Sequence, residues 1–265
     1  MKKTQSIVSK RRDKILDYLK SNESINTNEL AERLQISPLT LRRDLQVLDD
    51  EGLIIRYYGG ARLVSDVNDD VKPTSKEKHE ESVLIQKKNC IAKYAASLIK
   101  DGDTIFINSS STALLILKYL DDRRVNVVTN NGKVLQSTIG PNIELVLTGG
   151  QVYERKQSLV GEFATYILSK ITADKCFLGV SGIASDSGIS TSVLQETLIN
   201  HEMINRCNGP VYILASSSKV GRHNNFSSGD INEISHLITD SDIDKTEAVA
   251  LKDKGVTVIT LDYKE

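Results

Sequence analysis

Residues 37–45, Ser37-Pro38-Leu39-Thr40-Leu41-Arg42-Arg43-Asp44-Leu45, decide how the N-terminal part of this chain folds. Ser37 suits an N-cap, because its hydroxyl can accept from the free amides of a first helical turn. Pro38 suits the first helical position, where a missing N–H costs nothing. Leu41, Leu45 and Leu48 recur at helical spacing and predict a buried stripe. Thr40, Arg42 and Arg43 point elsewhere, on a helix able to enter a DNA groove.

The flanking segments agree. Arg11 to Lys20 carries Ile15, Leu16 and Leu19 on one face and predicts an amphipathic helix. Ile25-Asn26-Thr27 reads as a short extended piece. Asn28 to Leu34 predicts a second helix, with Glu29 and Glu32 near its positive end. Gln35-Ile36 is a tight turn, and Gly52 suits a left-handed cap after the third helix. Leu53 to Tyr58 and Ala61 to Val64, joined by Gly59-Gly60, predict a hairpin. Three helices and a ribbon over residues 1–64 predict a winged helix-turn-helix domain, with the third helix in a major groove.

A guanidinium can grip guanine O6 and N7 together. Ser37, Thr40, Arg42 and Arg43 are therefore candidate DNA contacts from the helix. Arg56, Tyr57 and Arg62 are candidate phosphate contacts from the ribbon. Paired arginines also suit a merely solvated helix face; the register of all three helices with the ribbon favours DNA. The charge distribution agrees. The 265-residue chain has a net charge of −1, but residues through Arg62 hold twelve basic against nine acidic side chains. Cations gather where phosphates would be met, though mildly, so self-association is expected to strengthen binding.

The stretch 65–81 is polar and rich in charge, and reads as a linker that ends in a solvated helix start. From residue 82 to 265, apolar strand-like runs alternate with helical patterns: Thr104–Ile107, Val125–Thr129, Ile143–Leu147, Lys175–Val180, Val211–Ala215, His236–Thr239 and Val256–Leu261. Helices are expected over Val83–Lys100, Thr112–Leu120, Lys133–Ile139, Leu159–Ile171, Val193–Arg206 and Thr246–Lys252. That alternation predicts a doubly wound, Rossmann-like α/β domain.

Ligands of such sheets bind beyond the carboxyl ends of the strands. The ends here are Asn108-Ser109-Ser110-Ser111-Thr112, Thr129-Asn130-Asn131, Thr148-Gly149-Gly150 and Ser216-Ser217-Ser218-Lys219. Hydroxyls and amides before a helix, glycines that admit close approach, and a lysine suit a phosphorylated ligand. Each run alone is ordinary turn chemistry; together they predict a polar pocket. Glu162, Glu196 and the pair Arg155-Lys156 read as surface charges.

These motifs resemble the DeoR family of bacterial transcriptional regulators. The N-terminal resemblance rests on Arg11-Arg12, Glu29-Leu30-Ala31, Ser37 to Leu45 and the wing Arg56-Tyr57-Tyr58-Gly59-Gly60-Ala61. Leu41 stands where Ile or Val is usual, and Tyr58 where the wing has His. The resemblance implies an effector domain similar to sugar-phosphate isomerases, with the motifs D-x-G-T-T, T-N, G-G and D-x-S-K after successive strands. The chain keeps Thr112, Thr129-Asn130, Gly149-Gly150, Ser158-Leu159-Val160-Gly161 and Ser218-Lys219. Asn108, Ser110 and Ser111 replace the first motif's Asp, Gly and Thr; Ser216 replaces a second Asp, and Asn200 replaces a frequent Lys.

The resemblance implies an operator-binding regulator, a repressor of a sugar operon, modulated by a phosphorylated sugar and assembled as a homodimer or homotetramer. Two alternatives stay open: a constitutive DNA binder with an inert dimerisation domain, and an isomerase carrying a DNA module. Isomerisation needs a positioned base; the strand ends offer Asn108 and Ser216 instead, so no enzyme is expected. No cofactor is expected. Cys90, Cys176 and Cys207 lack a disulfide or C-x-x-C framework, and the four histidines lack metal spacing, so no metal is expected. With no signal peptide and no long apolar run, the expectation is a cytoplasmic protein without membrane contact.

Overall fold

The computed structural model describes residues 7–22, 25–50, 53–57, 60–63 and 75–263. The chain divides into two compact units, Met1–Leu84 and Ile85–Glu265. In the first, α1 (Ile7–Ser21), β1 (Ile25–Asn26), α2 (Thr27–Arg33), α3 (Pro38–Asp50), β2 (Ile54–Tyr57) and β3 (Gly60–Leu63) follow in order. Asn26 caps α2 by accepting the Asn28 amide at 2.9 Å. Ser37 caps α3, its Oγ accepting the Thr40 amide at 3.1 Å. Leu41, Leu45 and Leu48 bury against Ile15, Leu19, Leu30, Ala31, Ile54 and Ala61. The strands pair in the order β1-β3-β2, completing the wing. Gly52, Tyr58, Gly59 and Val64 lie outside the described residues.

Asp44 gives the arginines of α1 their purpose. It is buried on α3 and accepts from Arg11 through Nε and Nη2, and from Arg12 Nε at 3.1 Å. The hydrogen bond to Asp44 holds the Arg11 guanidinium above its already high pKa, against the opposing effect of burial. One carboxylate thus fixes the angle between α1 and α3. Asp44→Ala should destabilise this unit by about 1.5–3 kcal/mol, the worth of hydrogen bonds to charged groups. An unchanged denaturation midpoint would show that the clamp holds nothing.

The expected connector turns helical at Ser75, where α4 (Ser75–Ser97) begins. Then come β4 (Thr104–Ile107), α5 (Ser111–Leu114), β5 (Val125–Thr129), β6 (Ile143–Leu147), β7 (Gln151–Tyr153), β8 (Ser158–Val160) and α6 (Glu162–Leu168). Next are β9 (Lys175–Gly179), β10 (Gly182–Ala184), β11 (Gly188–Thr191), α7 (Leu194–Asn205) and β12 (Val211–Leu214). The chain finishes with β13 (Phe226–Gly229), β14 (His236–Asp240), α8 (Lys245–Asp253) and β15 (Thr257–Leu261). Seven of these strands form one parallel sheet in the order β15-β14-β12-β9-β4-β5-β6.

Alternating side chains bury both faces of that sheet. Ile105 and Ile107 join Ile91, Ala95 and Ile99 of α4 and its following turn on one side. Phe106 joins Leu168, Ile199, Met203 and Leu251 on the other. The domain is doubly wound. Strands β4, β5 and β6 step outward one way, and the chain then returns to lay β9 on the opposite flank of β4. The order reverses between β4 and β9, and that reversal opens a crevice beyond the strand ends.

Several elements differ from expectation. Leu159–Ile171 is not one helix: Ser158–Val160 pairs antiparallel with Gln151–Tyr153, and Gly161 at φ 88° turns the chain before α6 starts. The hairpin prevails because the Leu159 amide binds the Asn130 carbonyl at 2.7 Å, a partner that local sequence does not reveal. The helices expected from Thr112 and Lys133 shrink to one α-turn plus 3-10 turns over Leu115–Tyr119 and Gly132–Gln136. The antiparallel sheet β10-β11-β13 was not expected, since its short strands are rich in Gly and Ser rather than β-branched residues. Among the described residues no helix is long and apolar enough to cross a membrane.

Candidate functional site

In the first unit, Arg42 and Arg43 are exposed on α3, and Leu39 lies exposed on the same face, where the sequence reading had not placed a contact. Ser37 Oγ and Thr40 Oγ1 lie 2.8 Å apart beside them. Arg62 is half-buried on β3. Arg56 and Tyr57 belong to β2 by their backbone, paired with Ala61 and Gly60, but their side chains lie outside the described residues.

In the second unit the strand ends converge on the crevice between β4 and β9. Asn108 closes its floor. Its Nδ2 donates to the Gly179 carbonyl at 2.8 Å and to Asn200 Oδ1 at 3.0 Å, while its Oδ1 accepts the Gly179 amide at 3.0 Å. The two departures from the family pattern, at 108 and 200, thus touch each other: an amide pair occupies what the resemblance would make an acid and a base. Gly179 must lack a side chain, because a Cβ there would lie 1.8 Å from Ser110 Oγ.

Ser110 caps α5, accepting the Thr112 amide at 3.2 Å and that of Ala113 at 3.5 Å. The expected anion cradle at this helix start is therefore smaller than anticipated: α5 has four residues and its first amides are already engaged. Ser111 is exposed and Thr112 buried. Thr129 Oγ1 accepts the Asn131 amide at 3.1 Å, and Asn131 caps the following turn through Lys133 N at 3.1 Å. Asn131 Nδ2 reaches back to the Ser110 carbonyl at 3.4 Å. Asn130 donates to the Leu159 carbonyl at 3.1 Å, leaving its buried Oδ1 without a partner. Gly149 has open space around it at φ 66°. Gly150 serves packing, since a Cβ would meet the Val160 carbonyl at 2.6 Å. Lys219 donates to the Val180 carbonyl at 3.0 Å and so leans toward the same crevice from β12.

Two side chains read as surface charges belong here instead. Glu196, in the first turn of α7, is 4 % exposed, and Lys156, in the β7–β8 turn, is 8 % exposed. Lys156 Nζ donates to Glu196 Oε2 at 2.8 Å. Ser109 Oγ donates to Glu196 Oε1 at 2.5 Å, and Thr191 Oγ1 to Oε2 at 3.4 Å. Neither charge follows a parallel strand, so inspection of strand ends could not find them. Glu162 is exposed as expected, and Arg155 is half-buried.

A second charged cluster ties loop 216–219 to α4. Asp240 Oδ2 accepts the Ser217 amide at 2.7 Å, and Lys87 of α4 contacts Asp240 at 2.8 Å and Asp242 at 2.6 Å. Burial alone would lower the Lys87 pKa; hydrogen bonds to both aspartates more than offset it, leaving it raised. Among the described residues, no cluster of three His, Cys, Asp or Glu side chains could hold a metal ion. Cys176 is buried, which pushes its thiol pKa well up.

Profile comparison matches residues 11–67 to the DeoR-like helix-turn-helix domain and residues 84–241 to the DeoR C-terminal sensor domain. The chain belongs to the DeoR family of transcriptional regulators. It is 32 % identical to the uncharacterized HTH-type transcriptional regulator YulB of Bacillus subtilis, across 95 % of this chain and 96 % of that protein. It is 30 % identical to the lactose phosphotransferase system repressor of Staphylococcus epidermidis, across 90 % and 95 %. It is 33 % identical to the HTH-type transcriptional repressor GlcR of Bacillus subtilis, across 95 % of each. Among solved structures, ribose 5-phosphate isomerase A of Methanocaldococcus jannaschii aligns with 53 % of this chain and 55 % of its own, at 20 % identity and a TM-score of 0.37.

The Asn108–Asn200 contact makes a specific prediction. Asn108→Asp puts a carboxylate oxygen against the Gly179 carbonyl and Asn200 Oδ1, and should cost about 1–3 kcal/mol of stability. Adding Asn200→Lys supplies a donor and a charge, and should recover part of that loss. A double-mutant cycle on thermal unfolding measures the coupling; additive effects would refute the pairing.

Proposed function

We propose that this DeoR-family regulator represses a sugar-utilisation operon, and that a phosphorylated sugar bound at the β4–β9 crevice changes its affinity for the operator. Support for the repressor role comes from relatives over nearly their full length, which carry the names of a lactose phosphotransferase system repressor and an aga operon transcriptional repressor. The single observation that carries the sensing role is the convergence of polar side chains from the ends of β4, β5 and β12 and from α7 on the point where the strand order reverses.

In this reading α3 enters the major groove. Arg42 and Arg43 meet guanine edges or phosphates, and Leu39 meets a thymine methyl. Ser37, Thr40, Arg56, Tyr57 and Arg62 position the domain on the backbone. Two copies match a two-fold operator, as a homodimer or homotetramer. Exposed Phe163 and Tyr166 on α6 and Leu194 and Leu198 on α7 suit that self-association. The protein works by binding rather than turnover, and in the cytoplasm. Of the buried carboxylates named beside these strand ends, Glu196 already accepts from three side chains and Asp240 from the Ser217 amide and Lys87, so neither has the freedom of a catalytic base.

A ligand in the crevice would move loop 216–219, and Asp240 joins that loop to Lys87 on α4, the helix that runs in sequence from the first unit into the second. Arg42→Ala and Arg43→Ala should each cost about 1–3 kcal/mol of specific operator binding in gel shift; unchanged affinity in both would misplace the reading helix. Hexose and pentose phosphates should weaken or alter operator binding where their unphosphorylated sugars do not, and Lys219→Ala should blunt that response. A complete absence of response would leave the second unit an assembly domain only.

A further inference from the structure

We propose that Lys156 is the anchor for the anionic group of the effector, and that Glu196 is a built-in counter-ion which that group displaces. This rests on the reading of the crevice as a ligand site, and adds which residue recognises the anion and what must move.

The charge pair is dry: the side chains of Lys156 and Glu196 keep only 10 % and 5 % of their exposure. A buried ion pair gains little stability over an apolar pair of the same size, because both ions lose their hydration. The pair sits within the polar network beside the switch point, where ligands bind in this class of sheet. The set of donors around Glu196 is itself informative. An ammonium and two hydroxyls, from Lys156, Ser109 and Thr191, converge on its carboxylate oxygens. These are the donors that hold a phosphate or carboxylate oxygen. Glu196 occupies, from within the chain, the position of an external oxyanion.

A second observation points to a ligand independently of the charges. Asn130 Oδ1 and Ser158 Oγ are buried without a hydrogen-bond partner. Both flank the segment that carries Lys156: Ser158 lies two residues beyond it, and Asn130 is bonded to Leu159. An unpaired buried acceptor and hydroxyl are unfavourable in the free protein. A ligand bearing hydroxyl groups next to its anion would satisfy both. The chemistry is that of a polyol phosphate or polyol carboxylate.

Displacement has a clear sign. Removing the internal competitor should tighten anion binding, whereas removing the ammonium should abolish it. The test is thermal unfolding of the full chain against inorganic phosphate, with chloride holding ionic strength constant. Wild type should gain stability at millimolar phosphate. Glu196→Gln should reach the same gain at phosphate about tenfold or more lower. Lys156→Gln should show none, and the neutral double variant Lys156→Gln/Glu196→Gln, which buries no unpaired charge, should fold and also show none. An equal response in wild type and in the variants without Lys156 overturns the proposal, as does no response in wild type and Glu196→Gln alike. The titration contains neither DNA nor sugar, so a sugar phosphate panel that fails to alter operator binding would strike the functional reading and leave this one standing.

Discussion

At the reversal of strand order, the backbone ladder between β4 and β9 ends, and the side chain of Asn108 takes its place. It makes two hydrogen bonds to Gly179 and one to Asn200. The constraint is strict on both sides. Gly179 admits no Cβ because Ser110 fills the space, and Ser110 in turn caps α5. Everything above the crevice hangs from this joint: Ser109 is aimed at Glu196, and Asn131 reaches the Ser110 carbonyl. A carboxylate at 108 would face two acceptors, so the replacement at 108 and that at 200 make physical sense only together.

The two units solve a similar problem with different chemistry. In the DNA-binding unit a buried carboxylate, Asp44, gathers Arg11 and Arg12 and fixes α1 against α3, leaving Arg42 and Arg43 exposed. In the sensor unit a buried carboxylate, Glu196, gathers Lys156 and two hydroxyls. The first pair has arginines that keep contact with solvent, which suits a permanent clamp. The second is nearly sealed and lies at the β4–β9 crevice, which suits the exchange with a bound anion proposed above.

Much of this was legible in the sequence. Ser37, Pro38 and the leucines of α3 announce their helix through local capping and spacing, and all seven parallel strands stand out as apolar runs. The polar strand ends Asn108, Ser109, Asn131 and Lys219, all named from the sequence, come together at the β4–β9 reversal. What stayed hidden depends on partners far away in sequence. Lys156 and Glu196 look like surface charges because each has polar neighbours, and only the fold of the β7–β8 hairpin onto α7 buries them. The hairpin itself was hidden because its Leu159 amide is satisfied by Asn130, 29 residues earlier. Asp44 shows the same limit: its position in a helix facing Arg11 makes it core, though its type suggests surface.

The central claim, that the polar crevice at the β4–β9 reversal is where the signal enters, is tested most directly by hydrogen exchange of the full chain with and without a panel of sugar phosphates. The account predicts slowed exchange in residues 107–112, 129–132, 148–160, 191–200 and 216–219, with the corresponding free sugars giving none. Slowed exchange confined to other segments, or none with any member of the panel, would contradict it.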